Sequence, residues 1–276
     1  MTVTTMHDPR SDERFRLAGA GLGTGSRAVA QRTIRKFRRT PQLIVLSSVQ
    51  GALFLLIFRY VYGGAVGVGG LRYVDFLVPG FITTMILFTG TGAAVGVAQD
   101  VEGGFFDRLR SLPIPRAAAM LGRSIADTGL VAWGLAVTTV VGLAIGFRIH
   151  TDLAHALAAF GLCVLFGFAF EWLFITLGLV AGNVQGAQGM GMLAFPLTFV
   201  SSAFVPVSTM PGWMRPVAEN QPITAMVNAV RCLTEGAKAE AILHQTTAHY
   251  VVLSLIWTAA LIAVFGTIAV ARFARQ

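Results

Sequence analysis

From residue 43 to residue 271 the chain alternates long apolar runs with short polar breaks, and six runs stand out: 43–62, 76–98, 125–147, 153–181, 190–205 and 251–271. Each comes near the roughly 20 residues that a helix needs to cross a bilayer. The pattern predicts an all-α polytopic membrane protein with six transmembrane helices, in a domain over 41–276. Ahead of the first run the pattern changes. Between residues 26 and 40, Val29, Thr33, Ile34 and Phe37 share one helical face, while Arg32, Arg35, Lys36, Arg38 and Arg39 cover the rest up to Pro41. This predicts a basic amphipathic helix lying on an anionic inner leaflet, with membrane lipid as its partner. An ordinary basic flank without a defined helix is the alternative. Residues 1–25 are polar and glycine-rich and read as a disordered tail.

The break before the sixth run is far longer than the others and has a pattern of its own. Pro206, Pro211 and Pro216 punctuate its start. Asn220, Gln221 and Pro222 then precede Ile223, Met226, Val227, Val230 and Leu233 at helical spacing, ending at Gly236. Proline near the first turn and glycine after the last describe a capped amphipathic helix. Its modest hydrophobicity predicts a segment at the outer interface, or dipping partway in, rather than a seventh span.

Composition agrees with the frame and narrows it. Hydrophobic residues make up 55% of the chain, charged residues 12%, and mean hydropathy is +0.69; soluble domains carry about 25% charged residues. The net charge of +8 would suggest nucleic acid in a soluble protein, but here it speaks to topology, and no nucleic-acid partner is expected. Basic residues crowd the segment before the first run, the break between the second and third (Arg108, Arg110, Arg116, Arg123) and the C-terminus (Arg272, Arg275). The positive-inside rule therefore predicts that both termini are cytoplasmic. Cys163 and Cys232 fall at different membrane levels, so neither a disulfide nor a metal site is expected. No cleaved signal peptide is visible.

Two places hold candidate chemistry. The break between runs two and three, residues 99–116, packs three carboxylates, three arginines, Phe105, Phe106 and two prolines into a connection that need only be a short turn. Its composition suits a docking element and equally a solvated loop obeying the positive-inside rule. The second place is Glu171, near the middle of run four. A charge there costs roughly 2.5–3.5 kcal/mol on insertion scales, so it must face the interior or water and find a partner. It reads either as a contact in a translocation path or interhelical latch, or as a protonated, hydrogen-bonded structural acid. Arg59 is placed to snorkel, and Arg123 with Asp127 has the spacing of an i, i+4 ion pair. No G-x-x-x-x-G-K-[ST] phosphate loop occurs, nor H-E-x-x-H or G-x-S-x-G, so any ATP would be bound by another chain.

The 99–116 break strongly resembles the first cytoplasmic connection of ABC-2 type exporter permeases. Tyr73-Val74-Asp75-Phe76-Leu77-Val78-Pro79-Gly80 is similar to the daunorubicin and doxorubicin resistance branch of that family. So are Phe195-Pro196-Leu197-Thr198-Phe199-Val200-Ser201-Ser202 and the run from Ser208-Thr209-Met210-Pro211-Gly212-Trp213 to Asn220-Gln221-Pro222-Ile223-Thr224. The resemblance implies a six-helix half-transporter in a bacterial cytoplasmic membrane, paired with a second permease chain and two copies of a separate ABC ATP-binding subunit that uses the ATP and Mg. It further implies an ATPase-coupling loop at Glu102, Phe105, Phe106, Asp107, Arg108, Leu109, Arg110, Pro113, Pro115 and Arg116. An outer hairpin between helices five and six would carry Pro211, Trp213, Asn220, Pro222 and Arg231. The expected activity is export of a hydrophobic or amphipathic, drug-like compound, with a cell-envelope lipid or glycan as the rival cargo. From a different class, an ion-coupled transporter or intramembrane enzyme acting alone through Glu171 remains the alternative.

Overall fold

The computed structural model describes residues 21–64, 70–110 and 115–275. Residues 1–20 of the expected tail and Pro113 lie outside them. Among the described residues all regular structure is helical. Helix α1 (Leu22–Arg39) precedes α2 (Pro41–Val61), α3 (Tyr73–Glu102), the short α4 (Phe105–Arg110), α5 (Arg116–Ala144) and α6 (Leu153–Ala181). After these come α7 (Val184–Met192), α8 (Ala194–Phe199), a 3-10 turn (Val207–Thr209), α9 (Arg215–Asn220), α10 (Pro222–Glu235), α11 (Ala237–Leu243) and α12 (Thr247–Arg275).

Among the described residues four stretches are long and apolar enough to cross a membrane: Tyr73–Glu102, Ala117–Ala144, Leu153–Ala181 and Thr247–Phe273. Within α2 a shorter apolar helix, Ser48–Val61, stands where the first span is expected. The fifth expected span, 190–205, is not one helix. It is divided between α7 and α8 and then a turn. Pro196 explains the division, because its ring clashes with the carbonyl four residues back and it has no N–H to offer. The carbonyl four residues back belongs to Met192, where α7 stops.

Helix α6 is the hub, packing against α3 on one side and α12 on the other. Gly178 makes the α3 contact possible, since a Cβ there would stand 2.5 Å from the Ala94 carbonyl. Helix α6 is closed at both ends: the Asp152 carboxylate accepts the His155 N–H at 2.8 Å, and Gly182 takes the left-handed conformation at φ 67°. Such caps satisfy backbone groups that the helix itself cannot. Val140, Leu157 and Ile256 remain exposed, as expected of a surface whose solvent is lipid.

Helix α1 does not lie apart from the bundle. Val29 and Thr33 are buried, and a Cβ on Gly122 of α5 would reach the Ser26 carbonyl at 2.3 Å. Ile34, placed by the sequence on the same apolar face, is 44% exposed.

Candidate functional site

At the end of the bundle that carries α1 and α4, charge is buried. Arg123 of α5 donates through Nε to Asp127 Oδ2 at 2.5 Å and through Nη1 to Asp100 Oδ2 at 2.8 Å. Arg32 of α1 reaches the other oxygen of Asp100 at 3.0 Å. All but Arg32 are at most 5% exposed. The i, i+4 spacing foretold the pair on α5. Asp100, the acceptor that joins α3 to α1 and α5, had no local signal. Arg123 fits only because Gly96 leaves room, since a Cβ there would lie 2.2 Å from Nη2.

Glu171 is 1% exposed and lies within electrostatic reach of Asp127 and Arg123, and its Oε2 has no hydrogen-bond partner among the described residues. It therefore faces the interior, as its membrane depth demands. Asp127 Oδ1 is likewise without a hydrogen-bond partner among the described residues.

Beside this network a cleft of about 390 Å³ opens between α2, α3 and α5. Phe54, Met85, Phe88, Leu130, Trp133 and Val137 give it apolar walls, and Arg123 and Asp127 line it too. Trp133 Nε1 donates to Ser48 Oγ at 3.3 Å, bridging α5 to α2.

The expected coupling segment is wedged into the same end. The Arg32 guanidinium sits 3.5 Å above the Phe105 ring. Phe106 meets Phe273 of α12 edge to face at 5.3 Å, and Phe106 and Leu109 are buried. The apolar residues thus face the protein itself, while Glu102, Arg108 and Pro115 are exposed. Glu102 also accepts the Val184 N–H at 3.1 Å, tying α3 to the start of α7. The side chains of Asp107, Arg110 and Arg116 lie outside the described set.

The opposite end is organised by Arg231 of α10, which is 1% exposed. Its guanidinium donates to the carbonyls of Phe76 (2.9 Å from Nη2), Ser202 (2.6 Å) and Ala203 (3.2 Å). It also reaches Ser202 Oγ and Asn228 Oδ1, each at 3.1 Å, and stacks 3.5 Å over the Phe76 ring. Close approach makes this possible, because a Cβ on Gly80 would lie 2.0 Å from the Ala203 oxygen. Burial pulls the guanidinium pKa down, to about 9, which leaves it charged at neutral pH.

Helix α10 is buried from Ile223 to Glu235, so it is a core element and not a helix resting on a surface. Its polar face, Thr224, Asn228 and Arg231, meets the turn after α8. Pro222 starts it, Asn220 accepts the Trp257 indole N–H at 3.1 Å, and Trp213 is 79% exposed near Pro211. At its far end His150 Nδ1 lies 3.0 Å from Glu235 Oε2. Burial, with the Asp75 carboxylate adding to it, pushes the Glu235 pKa up to about 7. Among the described residues Cys163 and Cys232 are free and buried.

Comparison with known proteins places this architecture. Residues 25–233 match the ABC-2 type transporter family. The chain is 32% identical over 210 residues to the daunorubicin resistance ABC transporter permease protein DrrB1 of Streptomyces coeruleorubidus, covering 74% of this chain and 73% of the relative. It is 25% identical over 213 residues to the probable doxorubicin resistance ABC transporter permease protein DrrC of Mycobacterium tuberculosis, covering 74% of this chain and 75% of that one. Permeases of this kind are integral membrane subunits that work with ATP-binding subunits, and this chain belongs to the ABC-2 type transporter family.

Proposed function

We propose that this chain is the membrane-spanning subunit of an ATP-driven exporter that moves a hydrophobic or amphipathic, drug-like compound out across a bacterial cytoplasmic membrane. The observation that carries this reading is the 32% identity, over 74% of the chain, to a permease named for daunorubicin resistance. Both termini are cytoplasmic in this reading, so α1 and α4 face the cell interior and the Arg231 end faces outward. Two permease chains assemble with two ATP-binding subunits, which bind the ATP and Mg. The segment from Glu102 to Arg116 is the coupling element. Support for it comes from the way Phe105 and Phe106 clamp α4 to α1 and α12, so that a push on the exposed side would be felt by three helices. The ring from Pro211 to Arg231 forms the outer hairpin.

Native mass spectrometry of the complex, purified through a tag on this chain co-expressed with its neighbouring genes, tests the assembly. Two copies with two ATPase subunits are expected. A chain that purifies free of any ATPase would overturn the reading. In the assembled exporter, replacing Asp107 and Arg108 by alanine should spare insertion and ATP hydrolysis while transport is lost, and unaffected transport would refute the coupling assignment.

A further inference from the structure

The connection between α5 and α6 is stitched down on two sides. Toward α3, the Arg148 N–H donates to Asp75 Oδ1 at 3.2 Å. Toward α10, the His150 N–H donates to the Thr234 carbonyl at 2.8 Å and the Thr151 hydroxyl to the Leu233 carbonyl at 2.6 Å. Under this seam lies Glu235, the last residue of α10, its side chain fully buried and neither carboxyl oxygen in a hydrogen bond among the described residues. Directly after it Gly236, at φ 62°, turns the chain into α11.

The charges around Glu235 do not hold an anion in place. On the α3 side Arg72 spends two N–H groups on Asp75, at 2.7 and 3.0 Å, so that pair brings little net charge. Lys238 of α11 is exposed and acts through solvent, where its field is screened. Arg148 directs its guanidinium to the carbonyls of Leu143 and Phe147, Asp152 and His155 at the start of α6 pair with each other, and Arg231, one turn back on α10, is taken up by its own acceptors. What reaches the carboxyl directly is His150, whose Nδ1 is 3.0 Å from Oε2 and whose imidazole is 34% exposed. A buried acid so placed is stable when it carries its proton, and the partly exposed imidazole gives that proton a way in and out.

We propose that Glu235 is a proton-operated latch on the end of α10. With the proton on, its O–H donates to His150 Nδ1 and the seam stays closed; with the proton off, the carboxylate turns out to water and frees residues 148–151 from α10. Burial raises the Glu235 pKa from 4.5 to about 7, so the seam is tightest below pH 4.5 and loosens progressively up to about pH 7. An open seam leaves α10 held through Arg231, which ties it to α3 and to the turn after α8. Calling the sensed medium external rests on the orientation given under the proposed function.

Hydrogen exchange of the full chain in phosphatidylcholine nanodiscs, corrected for the intrinsic rate at each pH and read at the amides of His150 and Gly236, tests the latch without ATP or partner subunits. Protection there should fall about 40-fold between pH 5 and pH 7, while amides of α6 beside Gly178 keep theirs. Glu235→Gln, which has no proton to lose, should stay closed across the range. His150→Ala should lower protection about fivefold at every pH, by removing one hydrogen bond, and keep the slope. Native protection that is flat with pH, or that falls equally throughout α6, would overturn the latch. A slope that survives in Glu235→Gln, or vanishes in His150→Ala, would seat the proton elsewhere and overturn it as well. None of these outcomes touches the subunit count of the complex, so the two readings fail separately.

Discussion

Replacing Arg231 by methionine removes a cation whose hydrogen-bond partners among the described residues are carbonyls, a hydroxyl and an amide rather than a carboxylate. Two effects oppose each other. Burying a guanidinium costs several kcal/mol of desolvation, and methionine, of similar length, recovers that cost. Against it, the acceptors lose their donor. The Phe76 carbonyl is inside α3 and keeps its place in the helix. The Ser202 and Ala203 carbonyls sit in the turn after α8, where among the described residues no other hydrogen bond to them is present. Each stranded carbonyl costs about 1–3 kcal/mol, and the lost stacking on Phe76 adds about 1 kcal/mol. Because charge-assisted bonds contribute about 1.5–3 kcal/mol each even after desolvation, the net expected loss is about 3–4 kcal/mol. Lysine should recover less than half of it, since one ammonium cannot address the α3 carbonyl and the turn as the planar fork does. Unfolding of the detergent-solubilised chain by SDS titration gives the free-energy change, and hydrogen exchange should show the loss concentrated at 200–206 and in α10. A methionine variant within about 0.5 kcal/mol of the native chain would refute the claim that the guanidinium ties α10 to α3 and the turn.

At the same end, Glu235 makes stability depend on pH. Its pKa in the folded chain is raised to about 7 from 4.5, so the native state holds a proton that the unfolded state has released. Stability should be greatest below pH 4.5 and fall by up to about 3 kcal/mol as pH rises to 7, while Glu235→Gln flattens that window in the same titration. His150, Asp75, Lys238 and Arg72 face this carboxyl, and His150→Ala should leave the slope in place. At the other end of the bundle, Arg123→Met should cost about 3–5 kcal/mol by stranding buried carboxylates, and Asp100→Asn clearly less, because the amide oxygen still accepts from Arg123 while Arg32, 42% exposed, turns to water. An equal loss from both, by SDS titration, would remove Arg123 as the centre. Phe106→Ala opens a hole against Phe273 and should cost about 3 kcal/mol while releasing α4 to proteolysis before the other helices; protection unchanged from native would show that the clamp does not hold it.

The long apolar runs at 76–98, 125–147, 153–181 and 251–271 became α3, α5, α6 and α12 because a bilayer-length run of apolar side chains leaves the backbone few alternatives to a helix. The run at 190–205 is just as apolar, and Pro196 within it was visible. What the composition could not reveal is that carbonyls at the end of α8, those of Leu197 and Val200, would be met by Gln221, the residue just before α10, which lets the chain turn there. Periodicity likewise placed the face of α10 that is apolar, but it could not say that Asn228 and Arg231 would also be buried, because their partners lie 26 and 155 residues away. The candidate coupling loop divides in the same manner. Its spacing showed aromatics beside charges. The fold turned Phe106 and Leu109 inward and spent Glu102 on the start of α7, leaving Arg108 on the outside. In this protein a local pattern announces that a polar group must be matched, and the decisive match is made by a segment distant in sequence: Arg231 by the turn after α8 and by α3, and Arg123 by Asp100 of α3 in addition to its neighbour Asp127.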